Sequence, residues 1–141
     1  MLPTDAAAVS NLFEQFGYPA SAGRFEARLS KLLADTQSHI VVAEEAGQVI
    51  AVGMLRTVDI LEGDDPLGVL LTLVVDETFR RKGVGTQVVE ALERFARDRG
   101  CFGIVVQSGS RRIAGHALYR KLNYLQTGER FIKIFDRDES P

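Results

Sequence analysis

The residues best suited to chemistry lie in the segment Val74-Val75-Asp76-Glu77-Thr78-Phe79-Arg80-Arg81-Lys82-Gly83-Val84-Gly85-Thr86. The apolar run from Val69 to Val75 reads as a strand buried on both faces. It leads into a loop with three cations and two glycines. A helix is expected at once, because Val84, Val88, Val89, Leu92, Phe95 and Ala96 recur at helical spacing. The N-terminus of such a helix offers unpaired backbone N–H groups and about half a positive charge. Glycine lets an anion approach the backbone closely. Arg80, Arg81 and Lys82 add countercharge. Together these features suit a pyrophosphate. The spacing is not that of a Walker loop, because no Gly-Lys-Ser/Thr follows at the required distance. The dinucleotide fingerprint fails too, since Val88 stands where its third glycine belongs.

What remains is Arg80-x-x-Gly83-x-Gly85 between a strand and a long helix. It resembles the acetyl-CoA pyrophosphate loop of the GNAT superfamily of N-acetyltransferases, written R/Q-x-x-G-x-G/A. A second segment, Ala117-Leu118-Tyr119-Arg120-Lys121-Leu122-Asn123-Tyr124, is similar to that family's ending L-Y-x-K-x-G-F/Y. The resemblance implies that acetyl-CoA binds with its pyrophosphate on Arg80 and on the N–H groups of Arg81, Lys82, Gly83, Val84, Gly85 and Thr86. It implies that the strand of Leu73, Val74 and Val75 splays from its parallel neighbour. The freed backbone then pairs with the pantetheine arm, and one N–H polarises the acetyl carbonyl. Tyr119 takes the role of proton donor to the departing thiolate. A thiol of pKa ~8.5 leaves more readily when a hydroxyl donates to it.

Arg112 occupies the position, seven residues before Tyr119, where many members carry a pantetheine-binding asparagine. Arg111 and Arg112 are candidates for the 3′-phosphate of CoA, with an exposed charged loop as the alternative. Asn123 replaces the usual glycine and tolerates the left-handed region better than most residues. Met1-Leu2-Pro3-Thr4 is too short for the family's opening strand, which is expected to be short or missing. No metal is implied. The run from Val69 to Val75 has no carboxylate or histidine, so a water chain or a carboxylate from elsewhere must accept the ammonium proton, with Glu44 or Glu45 as candidates.

These segments need elements to position them. Thr4 or Asp5 can cap a first helix bearing Val9, Leu12, Phe13 and Phe16, ended by Gly17-Tyr18-Pro19. A second helix carries Phe25, Leu29, Leu32 and Leu33. A hairpin follows, with strands His39 to Glu45 and Val49 to Val58 about the turn Ala46-Gly47-Gln48. After a polar loop, Asp59 to Gly68, come the central strand, the basic loop and the long helix, which ends at Arg99-Gly100 with Gly100 at C′. Phe102 to Gln107 reads as a buried strand parallel to the first. Gly115 to Leu122 is a short helix, and Tyr124 to Phe135 forms one or two strands. The expected class is α/β (α+β). It has a mixed, mostly antiparallel sheet with a central parallel pair, and helices on both faces. One domain spans 1–141, with 136–141 as a tail.

Composition fits this class. The 141 residues are 45% hydrophobic and 26% charged, an ordinary globular profile. With 17 basic and 19 acidic residues the net charge is −2, so no global positive field favours nucleic acid or anionic lipid. Cys101 stands alone and fits a reducing cytoplasm, most simply as a buried inert thiol. No apolar run suggests a membrane span, and the start does not read as a signal peptide. The expected function is acetyl transfer to a primary amine. The acceptor is a small cationic amine or an amino-acid-like molecule, and the protein is a monomer or homodimer. The alternatives are acetylation of a protein N-terminus or lysine, and a non-catalytic CoA-binding or regulatory module.

Overall fold

The computed structural model describes residues 1–19, 21–107 and 113–135. They fall into two units, Met1–Val106 and Gln107–Pro141. In the first, a 3-10 turn at Pro3–Asp5 precedes helix α1 (Ala6–Gln15), and α2 (Ala22–Ala34) follows. Asp5 stands at the start of α1, but its carboxylate takes the Leu2 N–H at 2.8 Å instead of capping the helix. α1 ends at Gly17 (φ 78°). There the N–H groups of Gly17 and Tyr18 bond the carbonyls of Glu14 and Phe13, a Schellman close.

Strands β1 (Ser38–Glu45) and β2 (Gln48–Val58) form the hairpin. Its turn is the two residues Ala46 and Gly47, both at positive φ, so Gln48 belongs to the strand and not to the turn. β3 (Leu67–Val75) pairs antiparallel with β2, and β4 (Gly103–Val106) pairs parallel with β3. Among the described residues the sheet order is β1-β2-β3-β4. The mixed, mostly antiparallel sheet is therefore as expected, with the parallel pair at its β4 end.

Helices cover both faces of this sheet. On one, Ala6, Val9 and Leu12 of α1 and Phe25 and Leu29 of α2 pack with Ile40, Val49, Val52 and Val74. The other face takes α3 (Val84–Asp98), whose buried stripe is Val88, Val89, Leu92 and Ala96. α3 sits close because β2 has a glycine beneath it. A Cβ at Gly53 would lie 2.4 Å from Val88 Cγ1 and 3.0 Å from Leu92 Cδ1. Gly100 (φ 75°) ends α3 as expected, with the Cys101 N–H on the Ala96 carbonyl. Cys101 is half-buried, and burial raises its thiol pKa.

Two strand expectations change. β3 was read as buried on both faces, yet Leu71 is 54% exposed. β4 is shorter than Phe102 to Gln107, and Val105 is exposed on it. In the second unit, α4 (Ile113–Lys121) matches the short helix, but residues 124–135 form no strand. Phe131, Ile132, Ile134 and Phe135 stand exposed there. Their apolar pattern suits a strand, but a strand also needs a paired ladder, which side-chain pattern alone does not supply. The expected 136–141 tail lies outside the described residues. No helix among the described residues is long and apolar enough to cross a membrane.

Two measurements test this packing. Gly53→Ala is expected to cost about 1–3 kcal/mol by overpacking against Val88. It should lower the denaturant midpoint at constant m-value, and an unshifted midpoint would show that α3 is not held by this contact. The second concerns His39, whose ring stacks on Phe95 at 4.0 Å and 4°, with the Arg99 guanidinium 5.0 Å from the same Phe95 ring. Burial, then the N-terminal ammonium and Arg99, hold the His39 pKa below its ordinary value. The fold thus prefers neutral imidazole, and the unfolded chain takes up the proton first. Stability is expected to fall as pH drops below about 6.5, down to the lower folded-state pKa. His39→Gln should remove that slope; equal slopes in the two proteins would exclude His39 as its source.

Candidate functional site

The site begins where β3 loses one of its two neighbours. Leu67, Gly68, Val69 and Leu70 pair with Gly103, Ile104, Val105 and Val106, and the parallel ladder stops there. On the other edge, Leu55 pairs with Leu70 but Met54 pairs with Thr72, so Leu71 is an extra residue in β3. Such a bulge bends the strand and sharpens its twist. From Leu71 to Val75 the strand is bonded to β2 and open on its β4 side, among the described residues. The Asp76 N–H donates to Ile50 O at 2.8 Å, which fixes the alternation. Val74 turns its backbone to β2, while Leu73 and Val75 turn their N–H and C=O groups to the open edge. Of the three strand residues named from the sequence, Val74 therefore serves the core, at 3% exposure.

The open edge runs straight into the basic loop. Glu77–Phe79 form a 3-10 turn capped by Asp76. The Asp76 carboxylate accepts from Thr78 N (2.9 Å), Thr78 Oγ1 (2.7 Å) and Gln15 Nε2 (3.0 Å). The Gln15 and Thr78 bonds, with Arg80 nearby, hold its pKa below the ordinary value against the opposing effect of burial. Arg80 donates from Nε to the Val75 carbonyl at 3.3 Å, and its guanidinium carbon lies 4.7 Å from the Phe16 ring centroid. The Lys82 ammonium lies 5.4 Å from the Phe79 centroid.

Arg81 (φ 61°) and Gly83 (φ 80°) are both left-handed and curl the backbone between strand and helix. For Arg81 this is a strained state of the kind that concentrates at functional loops. Nothing lies within 4 Å of a Cβ placed on Gly83, so its side of the loop is open. The Gln87 N–H bonds Gly83 O at 3.1 Å, which begins α3. The N–H groups of Val84, Gly85 and Thr86 in its first turn have no intrahelical acceptor. Arg80, Arg81, Lys82, Gly83, Val84, Gly85 and Thr86 thus form one continuous, exposed to half-exposed cradle after the open edge. These groups fit a pyrophosphate: donors and three cations, set against two acids, the buried Asp76, whose oxygens already accept three hydrogen bonds, and the exposed Glu77 of the 3-10 turn.

Tyr119 belongs to the second unit and is set by its own helix end. α4 closes with the Asn123 N–H on Arg120 O (3.0 Å) and the Tyr124 N–H on Tyr119 O (2.9 Å). Asn123 takes φ 65°, the conformation anticipated for it. The closing contact of this Schellman motif is Tyr119 itself against Tyr124, edge to face at 5.6 Å. Tyr119 is 9% exposed. Arg111 and Arg112 lie outside the described residues. Glu44 and Glu45 are exposed and pair with Val49 and Gln48, beyond the Ile50–Asp76 row. They sit two strands from the open edge, roughly 10 Å by strand spacing, and the fold does not bring them to it. Sequence reading missed Leu71, Asp76, Gln15 and Phe16.

The sequence model of the acetyltransferase (GNAT) family matches residues 6–124, and the chain belongs to that family. N-acetyltransferase 8 of Rattus norvegicus is 33% identical over 103 residues, 72% of this chain and 46% of the relative. The chain spans less than half the length of the first mammalian relatives it matches. Among solved structures, a GNAT family acetyltransferase of Staphylococcus aureus superposes with TM-score 0.81 at 20% identity, covering 96% of this chain and 95% of that one. Aminoglycoside N-acetyltransferase AAC(6')-Iy in complex with CoA gives TM-score 0.79 at 21% identity, covering 97% and 96%. At these identities the likeness is one of fold.

Asp76 holds the base of the cradle. Asp76→Ala removes one acceptor from three donor groups, and the expected cost is about 1–3 kcal/mol. Denaturant titration at neutral pH measures it. A loss within error of zero would mean that water replaces the carboxylate.

Proposed function

We propose that this chain transfers the acetyl group of acetyl-CoA to a primary amine, and that residues 1–141 act as one domain in doing so. The observation that carries the reading is the continuity of the open Leu71–Val75 edge with the left-handed loop at the start of α3. Acetyl-CoA supplies the activated acetyl group as its thioester. The backbone of Leu73 and Val75 orients the pantetheine arm, and an N–H of this edge polarises the acetyl carbonyl. Arg80, Arg81, Lys82 and the first N–H groups of α3 neutralise the pyrophosphate. The amine attacks in its uncharged form, so no covalent enzyme intermediate is needed. Tyr119 gives a proton to the departing sulfur, and the proton shed by the acylated nitrogen returns through water to the Tyr119 oxygen, so the products are the amide and the free thiol of CoA. The place of Tyr119 in the L-Y-x-K-x-G-F/Y likeness and its fixed ring support that role. Arg112 is assigned to CoA on sequence position alone.

The acceptor we infer is a small cationic amine or an amino-acid-like molecule. The exposed carboxylates Asp59, Glu62, Asp64 and Asp65 favour a cation, and one structural neighbour is an aminoglycoside N-acetyltransferase. The single cysteine suits the cytoplasm as the place of action.

Calorimetric titration with acetyl-CoA, against adenosine 3′,5′-bisphosphate as control, tests the site. Micromolar binding of acetyl-CoA is expected, with loss in Gly83→Val, because valine at φ 80° is strained and crowds the cradle. Thiol release across a panel of amines then tests turnover. Tyr119→Phe should lower kcat by about a hundredfold or more while leaving acetyl-CoA affinity unchanged. Absence of binding would overturn the reading. Unchanged turnover in Tyr119→Phe at every pH would remove Tyr119 from it.

A further inference from the structure

The end of α1 meets the cradle at two points, Gln15 on Asp76 and Phe16 on Arg80. We propose that Phe16 is a positioning residue for CoA: its ring holds the Arg80 guanidinium ready for the pyrophosphate. The proposal rests on the CoA-binding reading above. An exposed arginine has a long, freely rotating stem, and immobilising it on binding lowers affinity roughly two- to twelvefold. In this protein Arg80 is held beforehand. Its Nε is on the Val75 carbonyl and its guanidinium carbon lies 4.7 Å from the Phe16 centroid. The hydrogen bond uses Nε, so the donors of Nη1 and Nη2 remain for a phosphate, which this fork fits with paired hydrogen bonds.

Phe16 is itself fixed. It is the last residue before the left-handed Gly17, with the Schellman bonds of Gly17 and Tyr18 closing around it. Gln15, one residue earlier, ties the same helix end to the carboxylate whose own carbonyl accepts the Phe79 N–H of the loop. The ring and the loop are therefore held in register by backbone and by a side-chain hook, 61 residues apart in sequence. Phe16 is half-buried and also packs against the core, so a bare loss of function on truncation would not separate the two roles.

The experiment is a double-mutant cycle on acetyl-CoA affinity with Phe16→Leu, Phe16→Tyr and Arg80→Ala, with melting temperature followed in each protein. Phe16→Leu keeps an apolar side chain and removes the π face. It should raise Kd roughly two- to twelvefold, and Phe16→Tyr should restore near-normal binding. In the Arg80→Ala background, Phe16→Leu should have no further effect. If Phe16→Leu binds acetyl-CoA as tightly as the parent, or weakens it equally with and without Arg80, the positioning role is overturned while the CoA site stands. If the parent protein binds no acetyl-CoA, the reading beneath it falls, and the proposal falls with it.

Discussion

One extra residue in β3 separates the half that builds the sheet from the half that can bind. Up to Leu70 the strand is bonded on both sides. After Leu70 the β4 ladder has ended and, among the described residues, only β2 holds the strand. Buried backbone donors and acceptors are costly to leave unpaired, so an open edge persists only where water or a ligand can reach it. The parallel ladder ends where β4 itself ends at Val106, and the Leu71 bulge bends β3 at that same point without shortening it. The core tolerates the opening because Val74, in the middle of the freed segment, still bonds β2 and buries its side chain against α1 and α2.

Rigidity around this edge comes from the ends of helices. α1 and α3 both close through a left-handed glycine with paired backbone bonds, and α4 does so through Asn123. At α1 the close places Gln15 and Phe16 against the cradle; at α4 it packs Tyr119 on Tyr124. Gly53 lets α3 lie flat on β2, so the first turn of α3 is set by the sheet as well as by the loop. In each unit the groups with assigned chemistry sit within a few residues of a backbone feature that leaves them little freedom.

Much of this was legible in the sequence because it is local. Gly83, Gly100 and Asn123 announce positive φ, and the 3.6-residue pattern of α3 announces a buried face. What was not legible is what depends on partners distant in the chain. Nothing local marks Leu71 as a bulge, since it is defined only by the offset between Met54–Thr72 and Leu55–Leu70. Asp76 reads as an ordinary loop acid until Gln15 is brought to it. Phe16 reads as one more apolar residue of the α1 stripe. Residues 124–135 show the converse error, a strand-like pattern without strand pairing among the described residues. Arg81 is a local failure of another kind: an arginine carries no sequence signal for a left-handed residue, yet it takes φ 61° two residues before Gly83.

A net charge of −2 does not argue against a polyanionic ligand, because charges are felt locally. At physiological ionic strength exposed charges are largely screened beyond about 8 Å. The acids of Asp59 to Gly68 therefore weigh little unless they lie within that range, whereas Arg80, Arg81 and Lys82 are in the loop itself. Two acids adjoin it, Asp76 at its base and the exposed Glu77, and both would be expected to repel an anion. The Asp76 oxygens already accept from Thr78 and Gln15, which fixes the carboxylate in the turn, while these neutral donors leave its negative charge in place. The same group also keeps Arg80 close by attraction. An acid is thus compatible with an anion site when its lone pairs are occupied from within. Its contribution is then to shape, and at the mouth the two acids are outnumbered by the three cations and the N–H groups of the first turn of α3.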